Sequence, residues 1–169
     1  LHKMNGDSSE SRAIETMKEY IDSTCPNGVE GTIDLISGLN LPFGDVSDID
    51  ILVIANLRNC NINYGNQLIE VKSFVTAIEL KEQDSNNVYI VGESVWVNYP
   101  TTQMKKNASD QNIRQKYTIH NYCKKQGLEL YITNSLWMKS IPQEELDIDN
   151  WPQNSPILFS SFSFTDLIK

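Results

Sequence analysis

Apolar positions change their period along this chain. Across residues 8–23 they fall at Ala13, Ile14, Met17, Tyr20 and Ile21, the spacing of one buried helical stripe. Ser8 or Ser9 is placed to cap that helix, and Glu10 in its first turn suits the positive end of the helix dipole. Pro26, Asn27, Gly28 and Gly31 then break the pattern into a loop. Residues 32–41 alternate as a strand, and residues 42–45 (Pro-Phe-Gly-Asp) read as a turn. The next strand, 47–55, is rich in β-branched residues. Asp48, Asp50, Leu52 and Ile54 share one of its faces, with Ile49, Ile51 and Val53 on the other.

The asparagine-rich segment 56–66 predicts a hairpin loop of unusual length, and 67–73 a third strand that 74–80 continues or follows with a fourth. Residues 81–87 are polar and turn-like. Residues 88–91 and 95–97 form a hairpin around Gly92-Glu93, and 98–107 a loop. A second helix starts at Ser109 or Asp110 and runs to Lys125, with Gly127 as its C-terminal stop. Residues 128–133 are a compact apolar strand, 141–152 an acidic connection anchored by Trp151, and 156–162 a last strand. A strand that follows a long helix can pair parallel with an earlier one. The order predicts an α/β (mixed α+β) fold, a central mixed sheet flanked by helices.

A length of 169 residues suits one domain with a real core. Residues 1–7 are expected to be a remnant or a disordered N-terminus, and residues 8–169 a single domain cut from a longer protein, with 162–169 opening another element. No apolar run approaches the ~20 residues that span a bilayer. Cys25, Cys60 and Cys123 are scattered and lack C-x-x-C spacing. That argues against a disulfide scaffold or zinc site, and for a reducing, cytoplasmic setting. The formal net charge of −8 is unusual for a nucleic-acid binder. It is uneven, however: Lys105, Lys106, Arg114, Lys116, Lys124 and Lys125 face only Asp110 in that stretch, which fits one basic surface and equally a solvated lysine-rich helix.

Leu68-Ile69-Glu70-Val71-Lys72 carries the candidate chemistry. Strand alternation puts Glu70 and Lys72 on one face, against Ile69 and Val71 on the other. Such a pair alone is ordinarily an edge-strand ion pair. A second apolar strand carrying its own acid, Asp50, turns attention to a metal site, because charge on an apolar strand costs desolvation unless something compensates. His2 and His120 have no histidine partner at ligand spacing, and no phosphate-cradling glycine loop occurs.

Helix-Glu10, strand-Asp50, Gly65 before Leu-Ile-Glu70-Val-Lys72, and Gln111 within Asn107-Ala-Ser-Asp-Gln-Asn112 together resemble the nuclease-related domain, a branch of the PD-(D/E)XK restriction-endonuclease-like superfamily. The resemblance spans roughly residues 8–135. Ala108 stands where the family often has proline, and the segment from Asp50 to Glu70 is longer than the pattern. The likeness implies an αβββαβ core and Mg²⁺ (or Mn²⁺) held by Asp50, Glu70 and the Val71 carbonyl, activating water for attack on phosphorus. Lys72 would offset phosphoryl charge, Glu10 would add negative charge, and Gln111 would donate an amide hydrogen bond, with Gln115 as the fallback. Lys105, Lys106, Arg114 and Lys116 would contact nucleic acid, DNA more readily than RNA although no motif separates the two, with a fused domain such as a helicase supplying further affinity. The rival expectation is a non-catalytic module of the same fold for protein contact or DNA-end binding.

Overall fold

Ala13, Met17 and Ile21, one turn apart, are all buried and fix the inner face of α1 (Ser8–Thr24). The computed structural model describes residues 8–41 and 48–168. The expected N-terminal segment 1–7, His2, the 42–45 turn and Ser47 lie outside the described residues, as does the side chain of the candidate cap Ser8.

The sheet is built from long strands. β1 (Glu30–Asn40) and β2 (Asp48–Tyr64) pair antiparallel, and β2 pairs antiparallel with β3 (Gln67–Lys81). The long loop expected over 56–66 is absent from this hairpin. Tyr64 pairs with Gln67 across a turn of Gly65 and Asn66, with Gly65 at φ 59°. Asparagine runs read as loop because they favour turns. Here Asn56, Asn61 and Asn63 are held by the ladder itself, with a register shift between Asn56 and Cys60 where Asn59 takes φ 57°. Gly31 is required for close approach: a Cβ there would lie 2.1 Å from the Asn56 carbonyl oxygen.

Three short strands follow, β4 (Val88–Val91), β5 (Ser94–Tyr99) and β6 (Met104–Asn107), forming a separate antiparallel sheet. The predicted loop over 98–107 therefore contains a strand. α2 (Ala108–Lys125) begins earlier than expected, capped by Asn107, whose side chain accepts from the Asp110 N–H at 2.9 Å. β7 (Ile132–Met138) runs parallel to β3, and β8 (Ile157–Leu158) parallel to β7. The strand expected at 128–133 is displaced, because Leu128, Leu130 and Tyr131 stay exposed and the buried run is Ile132–Met138. The expected last strand shrinks to β8. Beyond it Phe162 packs edge-on against Tyr20 and Trp137, and Phe164 sits beside Phe74.

Among the described residues the protein is therefore an α+β fold with two α-helices, a five-stranded mixed sheet ordered β1-β2-β3-β7-β8, and a three-stranded antiparallel sheet. α1 covers one sheet face, where Met17 and Ile21 meet Ile51, Val53, Phe74 and Ile78. α2 covers the other, where Ile119 and Cys123 meet Leu52, Val75, Ala77 and Ile132. Val95, Val97, Leu136 and Met138 join the small sheet to the large one. By strand alternation, Glu79 and Lys81 follow Val75 and Ala77 onto the α2 face.

Candidate functional site

β3 has two halves of different character. Gln67–Ser73 extends with β2 as an exposed arm, whereas 74–81 is almost wholly buried between β2 and β7. Glu70 pairs with Asn61 on the arm. Its carboxylate and the Lys72 ammonium are 3.5 Å apart, with side chains 52% and 74% exposed. The register places Ile51 opposite Ile78, so Asp50 falls opposite Glu79, nine residues along the strand from Glu70. At the rise of a β-strand that is roughly 30 Å. Asp50 and Glu70 are not brought together. Glu70 and Lys72 make a solvated surface pair, and the Val71 carbonyl goes with them.

A second Glu-x-Lys stands in the buried half, Glu79-Leu80-Lys81. Glu79 and Lys81 are 1% and 4% exposed and form a direct ion pair. The other Glu79 oxygen, Oε2, accepts from Gln115 Nε2 at 2.5 Å, and the same amide donates to the Asp48 carbonyl at 3.1 Å. Asn112 Nδ2 donates to Gln115 Oε1 and to the Ala77 carbonyl, both at 3.1 Å, and Asn112 Oδ1 accepts from Asn134 at 2.8 Å. This chain of amides fixes which way Gln115 points, and no polar atom named in it is left unpaired. Gln111, one turn earlier, is only half-buried, and Gln115 takes the contact with the acid.

Asp50 completes the group. Its Oδ2 accepts from the Leu80 N–H at 2.8 Å, and its carboxyl lies close enough to that of Glu79 to share a proton. Burial, followed by the facing Glu79 charge, pushes Asp50 up to about 7, although the Leu80 N–H and the Lys81 charge pull the other way. For Lys81, burial works to lower its pKa. The Glu79 charge and hydrogen bond, with Tyr99, outweigh that and raise it. Lys81 therefore remains an ammonium ion across the neutral range, donating also to the Tyr99 hydroxyl at 3.1 Å.

Of this group Asp50 and Tyr99 line a cleft of about 190 Å³, with Glu10, Leu80 and Glu82 also in its walls, while Glu79 and Lys81 lie buried behind it. Glu10, which the family resemblance named, is among the residues lining this cleft. Larger hollows lie between α1 and β1, about 450 Å³, and beneath the end of α2, about 480 Å³, but neither contains these acids. Chemistry rather than volume singles out the small cleft. Among the described residues no three His, Cys, Asp or Glu side chains form a ready metal cluster, so a cation would rest on two carboxylates and main-chain oxygen.

The chain matches no known protein family, no curated protein and no solved structure.

The basic candidates divide. Arg114 is paired with Asp110 at 3.0 Å on the exposed side of α2, where Lys116 is half-buried and His120 exposed. Lys105 and Lys106 are on β6, not on the helix. Lys105 sits 5.7 Å over the Tyr89 ring and Lys106 5.3 Å over Tyr99, the residue that lines the cleft. The three cysteines are free thiols away from the cleft.

Glu79, Lys81 and Tyr99 went unread in the sequence, although a signal for the first two was present. Phe74-Val-Thr-Ala-Ile-Glu79-Leu-Lys81 is a near-continuous apolar run, the mark of a strand buried on both faces. A charged pair ending such a run has far more to compensate than one ending an alternating strand.

Proposed function

We propose that this chain is a Mg²⁺-dependent phosphodiesterase acting on DNA, a module of a larger nucleic-acid-processing or defence protein. One observation carries the reading: a buried Glu79–Lys81 pair faces a second, half-buried acid, Asp50, that lines an open cleft. A buried ion pair is commonly no better for stability than apolar residues of similar volume. Keeping one beside a second acid points to chemistry. The order α1-β1-β2-β3-α2-β7, with β7 parallel to β3, fits the αβββαβ core of restriction-endonuclease-like nucleases.

The donor set suits a hard divalent cation. Asp50 and Glu79 offer carboxylate oxygens, the Leu80 main chain a carbonyl, and their mutual repulsion is what a cation relieves. Bound there, Mg²⁺ or Mn²⁺ would supply Lewis acidity toward a phosphoryl oxygen and an attacking water. Lys81, fixed between Glu79 and Tyr99, offsets negative charge gathering on the phosphoryl oxygens. Gln115 holds the Glu79 carboxylate in orientation, and Glu10 adds negative potential at the cleft wall. The roles first read onto Glu70, Val71, Lys72 and Gln111 pass to Glu79, Leu80, Lys81 and Gln115. A fused basic domain such as a helicase would hold the DNA that this acidic chain repels.

Nicking of supercoiled plasmid in Mg²⁺ or Mn²⁺ tests the reading. Wild type and Lys72→Ala should cut equally, while Lys81→Ala should lose on the order of 10²-fold. Equal background in wild type and Lys81→Ala would leave the second reading, a non-catalytic module of this fold for protein contact or DNA-end binding. The net charge of −8 favours that alternative.

A further inference from the structure

Tyr99 ends β5, where Pro100 keeps it extended and its own carbonyl accepts from the Thr102 N–H at 3.2 Å to close a turn. Its side chain is used from two directions. The hydroxyl oxygen accepts from Lys81, and the phenolic proton has no acceptor among the described residues. The ring seats Lys106, which stands diagonally across the β5–β6 ladder because Val97 pairs with Lys106 and Tyr99 with Met104. Lys106 is exposed and makes no ion pair among the described residues, unlike Lys72, Lys81, Lys139 and Arg114. In a chain of net charge −8, a lysine laid on an aromatic face instead of a carboxylate keeps its positive charge for an anion from solution. Tyr99 lines a cleft whose walls carry the acids Glu10, Asp50 and Glu82, and Lys106 stands behind it on the Tyr99 ring. These two donors are what would let a polyanion enter the cleft.

We propose that Tyr99 and Lys106 form a phosphate-binding subsite contributed by the inserted three-stranded sheet. The Tyr99 hydroxyl, held by Lys81, donates to a non-bridging oxygen of the phosphodiester in the cleft, and Lys106 takes the neighbouring phosphate. The subsite deepens the nuclease reading by naming how its substrate backbone is gripped, but it is tested by binding alone.

The probe is a short fluorescein-labelled single-stranded oligodeoxynucleotide, titrated by anisotropy across a salt series in Ca²⁺, so that cleavage plays no part. Tyr99→Phe keeps the ring and loses the hydroxyl. Binding should weaken about five- to tenfold with an unchanged salt slope, since a neutral hydrogen bond releases no counterion. Lys106→Ala should weaken binding and reduce the slope by about one. Lys105→Ala, on the opposite face of β6, should leave the slope as in wild type. Thermal melts check that all three variants fold. Absent binding by the wild type, wild-type affinity in Tyr99→Phe, or equal slope losses in Lys105→Ala and Lys106→Ala would each overturn the subsite. The expected pattern in a protein that fails to nick plasmid would keep the subsite and remove only the nuclease reading.

Discussion

In an unfolded chain Asp50 would titrate near its ordinary value of 3.8, whereas in the fold burial and Glu79 carry it to about 7. Between those values the native state holds a proton that the unfolded chain has released. Asp50 therefore favours folding fully below about 3.8, and that contribution is lost as pH rises through 7. Asp50→Asn mimics the protonated form at every pH. Urea unfolding should show the variant gaining stability over wild type between pH 4 and pH 8, by about 4 kcal/mol. A constant difference would mean that burial and Glu79 do not raise the Asp50 carboxyl. Lys81 does not interfere in this window: its raised pKa means its contribution is lost only at strongly alkaline pH.

Along β3, two Glu-x-Lys pairs with the same spelling live in different solvents. Glu70 and Lys72 on the arm are worth little to stability, as exposed pairs are. Glu70→Ala and Lys72→Ala should each change stability by no more than about 0.5 kcal/mol in urea melts. The arm depends instead on close backbone approach. Gly31→Ala would drive a methyl into the Asn56 carbonyl at φ 119°, costing about 2 kcal/mol or more by the same measurement. The helical stripe of α1, the hairpin around Gly92-Glu93 and the glycine that stops α2 were all legible, because each is set by neighbours within one or two turns of chain. Where β2 ends was not: Asn59 and Asn61 favour turns locally, and only pairing with Val71 and Glu70 holds their segment extended.

Across the whole molecule, Asp50 from β2, Glu79 and Lys81 from β3, Gln115 from α2 and Tyr99 from the small sheet converge although up to 65 residues separate them. On the proposed function, the two facing acids Asp50 and Glu79 would hold a divalent cation at this corner. Mg²⁺ should raise the melting temperature by a few degrees at pH 8, where Asp50 is ionised, and much less at pH 5, by linkage to the folded state. Asp50→Asn should abolish the shift, and Glu70→Gln should leave it intact. By itself the sequence determined the helices and the strand-rich centre, because periodicity and residue type are local properties. Which Glu-x-Lys meets Asp50, which glutamine reaches it, and that a tyrosine from an inserted sheet completes the corner were decided by tertiary structure alone. The β2–β3 register and the burial that follows from it are set by pairing and packing between distant segments, and those leave no mark in the spacing of neighbouring residues.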